Sequence, residues 1–255
     1  MCLIVFAWKV LPQVPLVAAA NRDEFYARAA LPAASWAEHP QVFAGRDLQA
    51  GGSWMGITRD PDGLDGDVAM NQSGSRFAAI TNIRSPDERR ADAPSRGALV
   101  AGYLAGDMSA QDYIATIAPG SEVYNGFNLV LGDRDTLIWF SNRGQNDPRN
   151  GKPLAPGIYG LSNALLDAPW PKVLKTKAEF ASLLCQGAPD DAYFEMLSDT
   201  ARAPDSRLPE TGVPLELERI LSAVRIDSPG YGTRASTVVK LYADGPGELH
   251  ELLIQ

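Results

Sequence analysis

The order of the apolar runs constrains this fold more than any other feature of the chain. Runs rich in strand formers open it, return in its middle and close it, and two helical stretches separate the three groups. Leu3-Ile4-Val5-Phe6-Ala7-Trp8 is the first run. Pro12 and Pro15 mark a turn, and Leu16-Val17-Ala18-Ala19-Ala20 returns as its hairpin partner. Strands are expected again at 53–57 and 77–81, punctuated by Gly51-Gly52 and by the Gly/Asp-rich stretch 60–67. Residues 98–104 predict a helix capped by Ser95 or Asp92, and 111–117 a second one opened by Ser109. Residues 127–131 and 136–140 form a hairpin around Gly132-Asp133-Arg134-Asp135, followed by a shorter strand at 158–161. Helices at 170–184, 190–197 and 215–224 come next, with a polar, Pro-rich and mobile loop at 201–214. Strands at 235–241 and 248–254 end the chain. This order is not the βαβα alternation of a doubly wound sheet. It suits an α+β chain with two antiparallel sheets and helices packed outside them.

The 255 residues predict one domain spanning 1–255, and the 45% hydrophobic content supplies an ordinary core. A net charge of −8 argues against nucleic acid as a partner, because phosphate binding needs clustered Lys and Arg. Two cysteines make no disulfide framework. Cys185, in the apolar stretch Phe180-Ala181-Ser182-Leu183-Leu184-Cys185, reads as a buried helix residue. Two histidines exclude a His-rich metal site; His39, in a polar loop beside Pro40, and His250 both read as solvated surface residues. No basic segment precedes the first apolar run, and no window reaches the length of a membrane-spanning helix, so a cytoplasmic protein without a transmembrane segment is expected.

The chemistry concentrates at the start. Removing Met1 would leave Cys2 with a thiol and a free α-amine on one residue, the minimal equipment of an N-terminal nucleophile. An α-amine titrates at about 7.7–8.0, so it can take the thiol proton near neutral pH. Asn21-Arg22-Asp23-Glu24 follows the second strand, where the hairpin would bring it to Cys2. A carboxylate there can orient the terminal ammonium, and a guanidinium can lower a thiol pKa or hold an anionic substrate group. The same four residues also suit a solvated turn. Asn82 in Thr81-Asn82-Ile83-Arg84 and Asn163 in Leu161-Ser162-Asn163-Ala164 stand just past strand ends. Such amides suit an oxyanion hole, or simply close a turn. Arg234, in Tyr231-Gly232-Thr233-Arg234, enters the last long strand and reads equally as a site residue or a surface one.

Taken in order, Met1-Cys2, Asn21-Arg22-Asp23-Glu24-Phe25, Gly51-Gly52-Ser53-Trp54-Met55-Gly56, Thr81-Asn82-Ile83-Arg84, Ser95-Arg96-Gly97, Tyr124-Asn125-Gly126-Phe127-Asn128, Tyr159-Gly160-Leu161-Ser162-Asn163 and Tyr231-Gly232-Thr233-Arg234 resemble the NRDE family, also called the transport and Golgi organisation 2 family. The resemblance runs from residue 1 to about 240. It implies a four-layer αββα sandwich of the N-terminal nucleophile (Ntn) hydrolase type, with kinship to choloylglycine hydrolase and penicillin V acylase. By that kinship Cys2 is the nucleophile and Asp23 orients its amine. Asn82 and Asn163 stabilise the oxyanion, and Arg234 positions the nucleophile. Asn21, Arg22, Trp54 and Arg84 are the substrate-binding candidates, although the related hydrolases space their Arg and Asp differently from the adjacent Arg22-Asp23 here. The implied reaction is hydrolysis of a non-peptide or small amide C–N bond, with no metal and no required cofactor. The family's links to haem trafficking, Golgi organisation and lipid homeostasis give the alternative: a carrier that holds haem in the same cleft.

Overall fold

The computed structural model describes residues 3–59 and 75–254; Cys2 and the glycine-rich stretch 60–67 lie outside them. The chain is an α+β protein. Its strands and helices run β1 (Leu3–Leu11), β2 (Val14–Phe25), β3 (Ala30–Trp36), β4 (His39–Asp47), β5 (Met55–Thr58), β6 (Phe77–Asn82), α1 (Gly97–Ala105), α2 (Ala110–Ile117), β7 (Phe127–Gly132), β8 (Leu137–Ser141), β9 (Lys152–Pro153), β10 (Gly157–Leu161), α3 (Pro171–Gln186), α4 (Asp190–Leu197), α5 (Leu215–Leu221), β11 (Asp227–Ser228), β12 (Tyr231–Leu241) and β13 (Glu248–Leu253). One sheet has the order β10-β1-β2-β12-β11, with β13 also paired to β12; the other runs β3-β4-β5-β6-β7-β8-β9. The pairings in both sheets are antiparallel.

The strand period of two explains why the first run is apolar throughout. Ile4, Phe6 and Trp8 enter a core that also contains Met55, Phe77, Val130 and Trp139 of the second sheet. Leu3, Val5 and Ala7 face the other way, into a core with Val173, Phe180 and Leu184 of α3 and Met196 and Leu197 of α4. A third core sets Leu99, Val100 and Tyr103 of α1 and Ile114 of α2 against Ala78, Ile80, Leu129 and Leu131. Every one of these faces is buried, so neither the first run nor β7 shows a polar alternation.

Several local expectations need correction. Residues 30–47 fold as β3 and β4, so His39 opens a strand instead of lying in a loop. β3 is an edge strand, mostly exposed and carrying Pro32, which hides its period. α1 starts at Gly97 with Arg96 at the N-cap and no side-chain cap, so neither Ser95 nor Asp92 caps it. Ser95 supplies only its carbonyl, which accepts from the Ala98 N–H at 3.3 Å. A Cβ on Gly52 would collide with the Gly97 backbone, and the Ser53 N–H donates to the Gly97 carbonyl there at 3.2 Å. Ser109 caps α2 as expected, accepting from the Asp112 N–H at 3.1 Å. Cys185 lies on α3 but is exposed, because Phe180 and Leu184 set the inward stripe one residue out of step with it. Among the described residues no helix is long and apolar enough to cross a membrane.

Candidate functional site

The first described residue of β1 stands between two polar segments. Leu3 pairs with Asn21 on β2, and Ile4 pairs with Leu161 on β10. Both neighbours run antiparallel to β1, so their polar continuations, Arg22-Asp23 on one side and Ser162-Asn163 on the other, flank its beginning. Cys2, joined to Leu3 by one peptide bond, lies outside the described residues.

On β2 the motif residues part to opposite faces. Asn21 is fully buried on the helix side. Its Nδ2 donates to the carbonyls of Leu197 and Val224, each at 2.9 Å, and its Oδ1 accepts from the Ser236 hydroxyl at 2.6 Å. Both amide hydrogens are therefore spent on the last residue of α4 and the segment after α5. Asp23 is buried on the same side, where its Oδ1 accepts from the Thr233 hydroxyl at 2.6 Å; that hydroxyl oxygen accepts in turn from the Ile226 N–H. Arg22 faces the other sheet. Its guanidinium carbon sits 4.2 Å from the centroid of the Trp54 ring and its Nη2 4.0 Å from Asp47. Trp54 is held by its own carbonyl, which accepts from the Ile80 N–H at 2.9 Å, and its ring occupies the space a Cβ on Gly45 would fill. The β12 register shifts between Thr233 and Ala235, and the residue at the bulge is Arg234. Its Nη1 donates to the carbonyls of Phe25, Tyr26 and Arg28 at 3.1, 3.3 and 2.9 Å, closing the turn after β2.

Asn82, Asn163 and Arg84 form a second group. Asn163, 7% exposed, donates from Nδ2 to the Asn82 carbonyl at 2.8 Å, and its own carbonyl accepts from the Arg84 N–H at 2.8 Å. The residue that fixes this loop stands in the Tyr124-Asn125-Gly126-Phe127-Asn128 motif, to which the sequence assigned no role. Asn128, fully buried, donates to the Ala164 carbonyl at 2.8 Å and the Thr81 hydroxyl at 3.1 Å, and accepts from the Trp139 indole at 3.2 Å. Its signal was its place in an otherwise apolar strand, Phe127–Gly132, where a buried amide needs partners. Arg84 points outward from this group, with its Nη1 2.6 Å from Glu218 and its guanidinium 4.8 Å from the Trp170 ring centroid.

Burial lowers the Arg22 pKa, opposed by the charges of Glu24 and Asp47. Burial works to raise Asp47, but the Arg28 guanidinium and the N–H groups of Ala50 and Gln49 hold its carboxyl below the usual range. Glu251, also missed, has its pKa raised by burial against the Ala33 N–H, which donates to it at 2.7 Å, and the charge of Arg22. It bridges β13 of one sheet to β3 of the other. Among the described residues no three His, Cys, Asp or Glu side chains are grouped to hold a metal ion.

A profile of the family described as Transport and Golgi organisation 2 matches residues 1–254. The chain is 35% identical to the Transport and Golgi organization protein 2 homolog of Bos taurus and 33% identical to that of Homo sapiens; each match covers 96% of this chain and 90% of the relative. It is 30% identical to Transport and Golgi organization protein 2 of Drosophila melanogaster, over 98% of this chain and 90% of that one. With the ordered motifs and a match over nearly all its length, the chain belongs to the Transport and Golgi organisation 2 family.

Proposed function

We propose that this protein is an N-terminal-cysteine amidohydrolase acting on a small, non-peptide amide, built as a four-layer αββα sandwich of the Ntn-hydrolase type. The observation that carries the reading is the pairing at the start of β1: Leu3 with Asn21 on one side and Ile4 with Leu161 on the other. Those two ladders bring Arg22-Asp23 and Ser162-Asn163 to the strand that Cys2 precedes. The three cores support the layering, since one contains side chains of both sheets and each of the others joins one sheet to its own pair of helices.

In this mechanism the Cys2 thiol attacks the amide carbonyl and its α-amine takes the proton. Asn82 and Asn163 stabilise the oxyanion of the tetrahedral adduct. The C–N bond then breaks as the ammonium returns the proton to the leaving amine, and water hydrolyses the thioester to free the acid and the thiol. Asp23, hydrogen-bonded to Thr233 and buried, supplies the fixed negative charge that favours the ammonium; Arg22 on the opposite face favours the thiolate.

The test is an alkylation race. Cys185 is exposed on α3, so a second accessible thiol is available as an internal competitor. Substoichiometric iodoacetamide should label Cys2 first, and preferential labelling of Cys185 would contradict the reading. Haem titration of Cys2→Ala covers the carrier alternative: saturable binding with no amide turnover in the parent protein would favour it.

A further inference from the structure

We infer that Asp167 is a positioning residue for the reaction: it closes the loop that carries Asn163, so that one amide hydrogen of Asn163 stays aimed at the developing oxyanion. The inference rests on the hydrolase reading, which assigns the oxyanion to that amide. The chain after β10 turns back on the strand at Asp167, and two hydrogen bonds shut the neck of the loop. The Asp167 N–H donates to the Gly160 carbonyl at 2.8 Å, and the Gly160 N–H donates to Asp167 Oδ1 at 3.0 Å. The return passes through a left-handed backbone, with φ 59° at Asp167, a conformation that aspartate visits more readily than most side chains. The carboxylate also takes Lys177 Nζ of α3 at 2.7 Å and Arg149 Nη1 at 2.8 Å. Arg149 adds a bond to the Leu166 carbonyl at 3.1 Å and is itself held by both oxygens of Asp147.

Asn163 stands inside this closed loop. One hydrogen of its Nδ2 goes to the Asn82 carbonyl at 2.8 Å, and the other has no acceptor among the described residues. An oxyanion hole works when its donors are fixed before the charge develops. A loop is an imprecise mount unless its supports lock it, and a displacement of about 1 Å can cost a hundredfold in rate. Here the flanks are locked as well as the neck. Asn128 holds the Ala164 carbonyl from the other sheet, the Arg84 N–H holds the Asn163 carbonyl, and Leu166 is buried in the core between the sheets. The neck differs from these supports because Asp167 is only partly buried, and it ties together β10, α3 and the stretch before β9. Removing its carboxylate releases the neck and leaves the buried supports in place, so the loop loosens without the core coming apart. Asp167 lies outside every motif read from the sequence.

The experiment compares two electrophiles on one thiol, in the full-length protein carrying Cys185→Ser. p-Nitrophenyl acetate acylates Cys2: the thiolate adds to the ester carbonyl, the oxyanion collapses, and p-nitrophenolate leaves as the thioester forms. Iodoacetamide alkylates the same thiol by displacing iodide, with no oxyanion. The p-nitrophenolate burst, corrected with a Cys2→Ala blank, gives the first rate, and loss of titratable thiol gives the second. Asp167→Ala should leave alkylation unchanged and slow acylation about tenfold or more, part of the roughly 10²–10³-fold that a lost oxyanion donor costs. Asp167→Asn keeps an acceptor for the Gly160 N–H and tolerates the left-handed backbone, so it should retain most of the burst. Arg149→Met frees the same neck from outside the core and should show the same split if Asp167→Ala does not fold. A parent burst that both variants leave intact, or a fall in both rates together, overturns the proposal. A parent with no burst above the blank overturns the hydrolase reading and the positioning role with it, so the parent protein alone tells the two failures apart.

Discussion

At the scale of single residues, the NRDE segment does two jobs on two faces of one strand. Asn21 and Asp23 turn toward the helices and Arg22 toward the opposite sheet, as a period of two requires. The motif was legible as a cluster, and its sidedness could have been read from Val17 and Ala19, which share a core with the helices. What the sequence could not show was that both hydrogens of Asn21 are spent on carbonyls brought in from residues 197 and 224. Asn21→Ala strands those two acceptors and the Ser236 hydroxyl, and should cost about 2–4 kcal/mol in urea unfolding. A loss below about 0.5 kcal/mol would mean the site relaxes around the gap. Glu251 gives the pH prediction. Burial raises its pKa above the unfolded value, so its penalty is absent at acid pH and grows as pH rises through the folded pKa. Glu251→Gln removes that penalty while keeping an acceptor for the Ala33 N–H. The melting temperature of the variant relative to the parent should therefore rise from roughly pH 4 toward neutrality. A relative fall over that range would show that the ionised carboxylate is the favoured partner.

At the scale of elements, strands with both faces buried were easy to read, because their apolar runs are unbroken. β1, β2, β6, β7 and β8 fall where residues 3–8, 16–20, 77–81, 127–131 and 136–140 predicted strands. β3 and β4 were not legible. β3 lies at the edge of its sheet, is mostly exposed, and its Pro32 contradicts a central strand; β4, its inner neighbour, is itself only partly buried. Their role shows only in three dimensions, where β4 contributes Gly45 under the Trp54 ring and Asp47 beside Arg22. Gly45→Ala forces its new methyl into the indole. It should cost about 1–3 kcal/mol by overpacking and displace Trp54 from Arg22, read as an altered indole resonance and a lower melting temperature. An unchanged Trp54 environment would show that the stack tolerates the added volume. α1 lies where 98–104 predicted a helix, but its cap was not legible: a close backbone approach at Gly97 stands where the local sequence suggested a side-chain cap.

At the scale of the whole molecule, the candidate site draws on parts that meet only because the sheets do. Asn163 follows β10, Asn82 ends β6 in the other sheet, and the Asn163 side chain bonds the Asn82 carbonyl across the gap between them. The fold class followed from the order of strands and helices, whereas the contact of Arg84 with Glu218 joins stretches 134 residues apart and left no local pattern. Everything chemical in this account depends on a free α-amine at Cys2, because that amine is the only base it assigns to the thiol. Intact-mass measurement of the mature protein tests this most directly. The account predicts a chain lacking Met1 and beginning at Cys2; a mature chain that keeps its methionine would have no such amine and would contradict it.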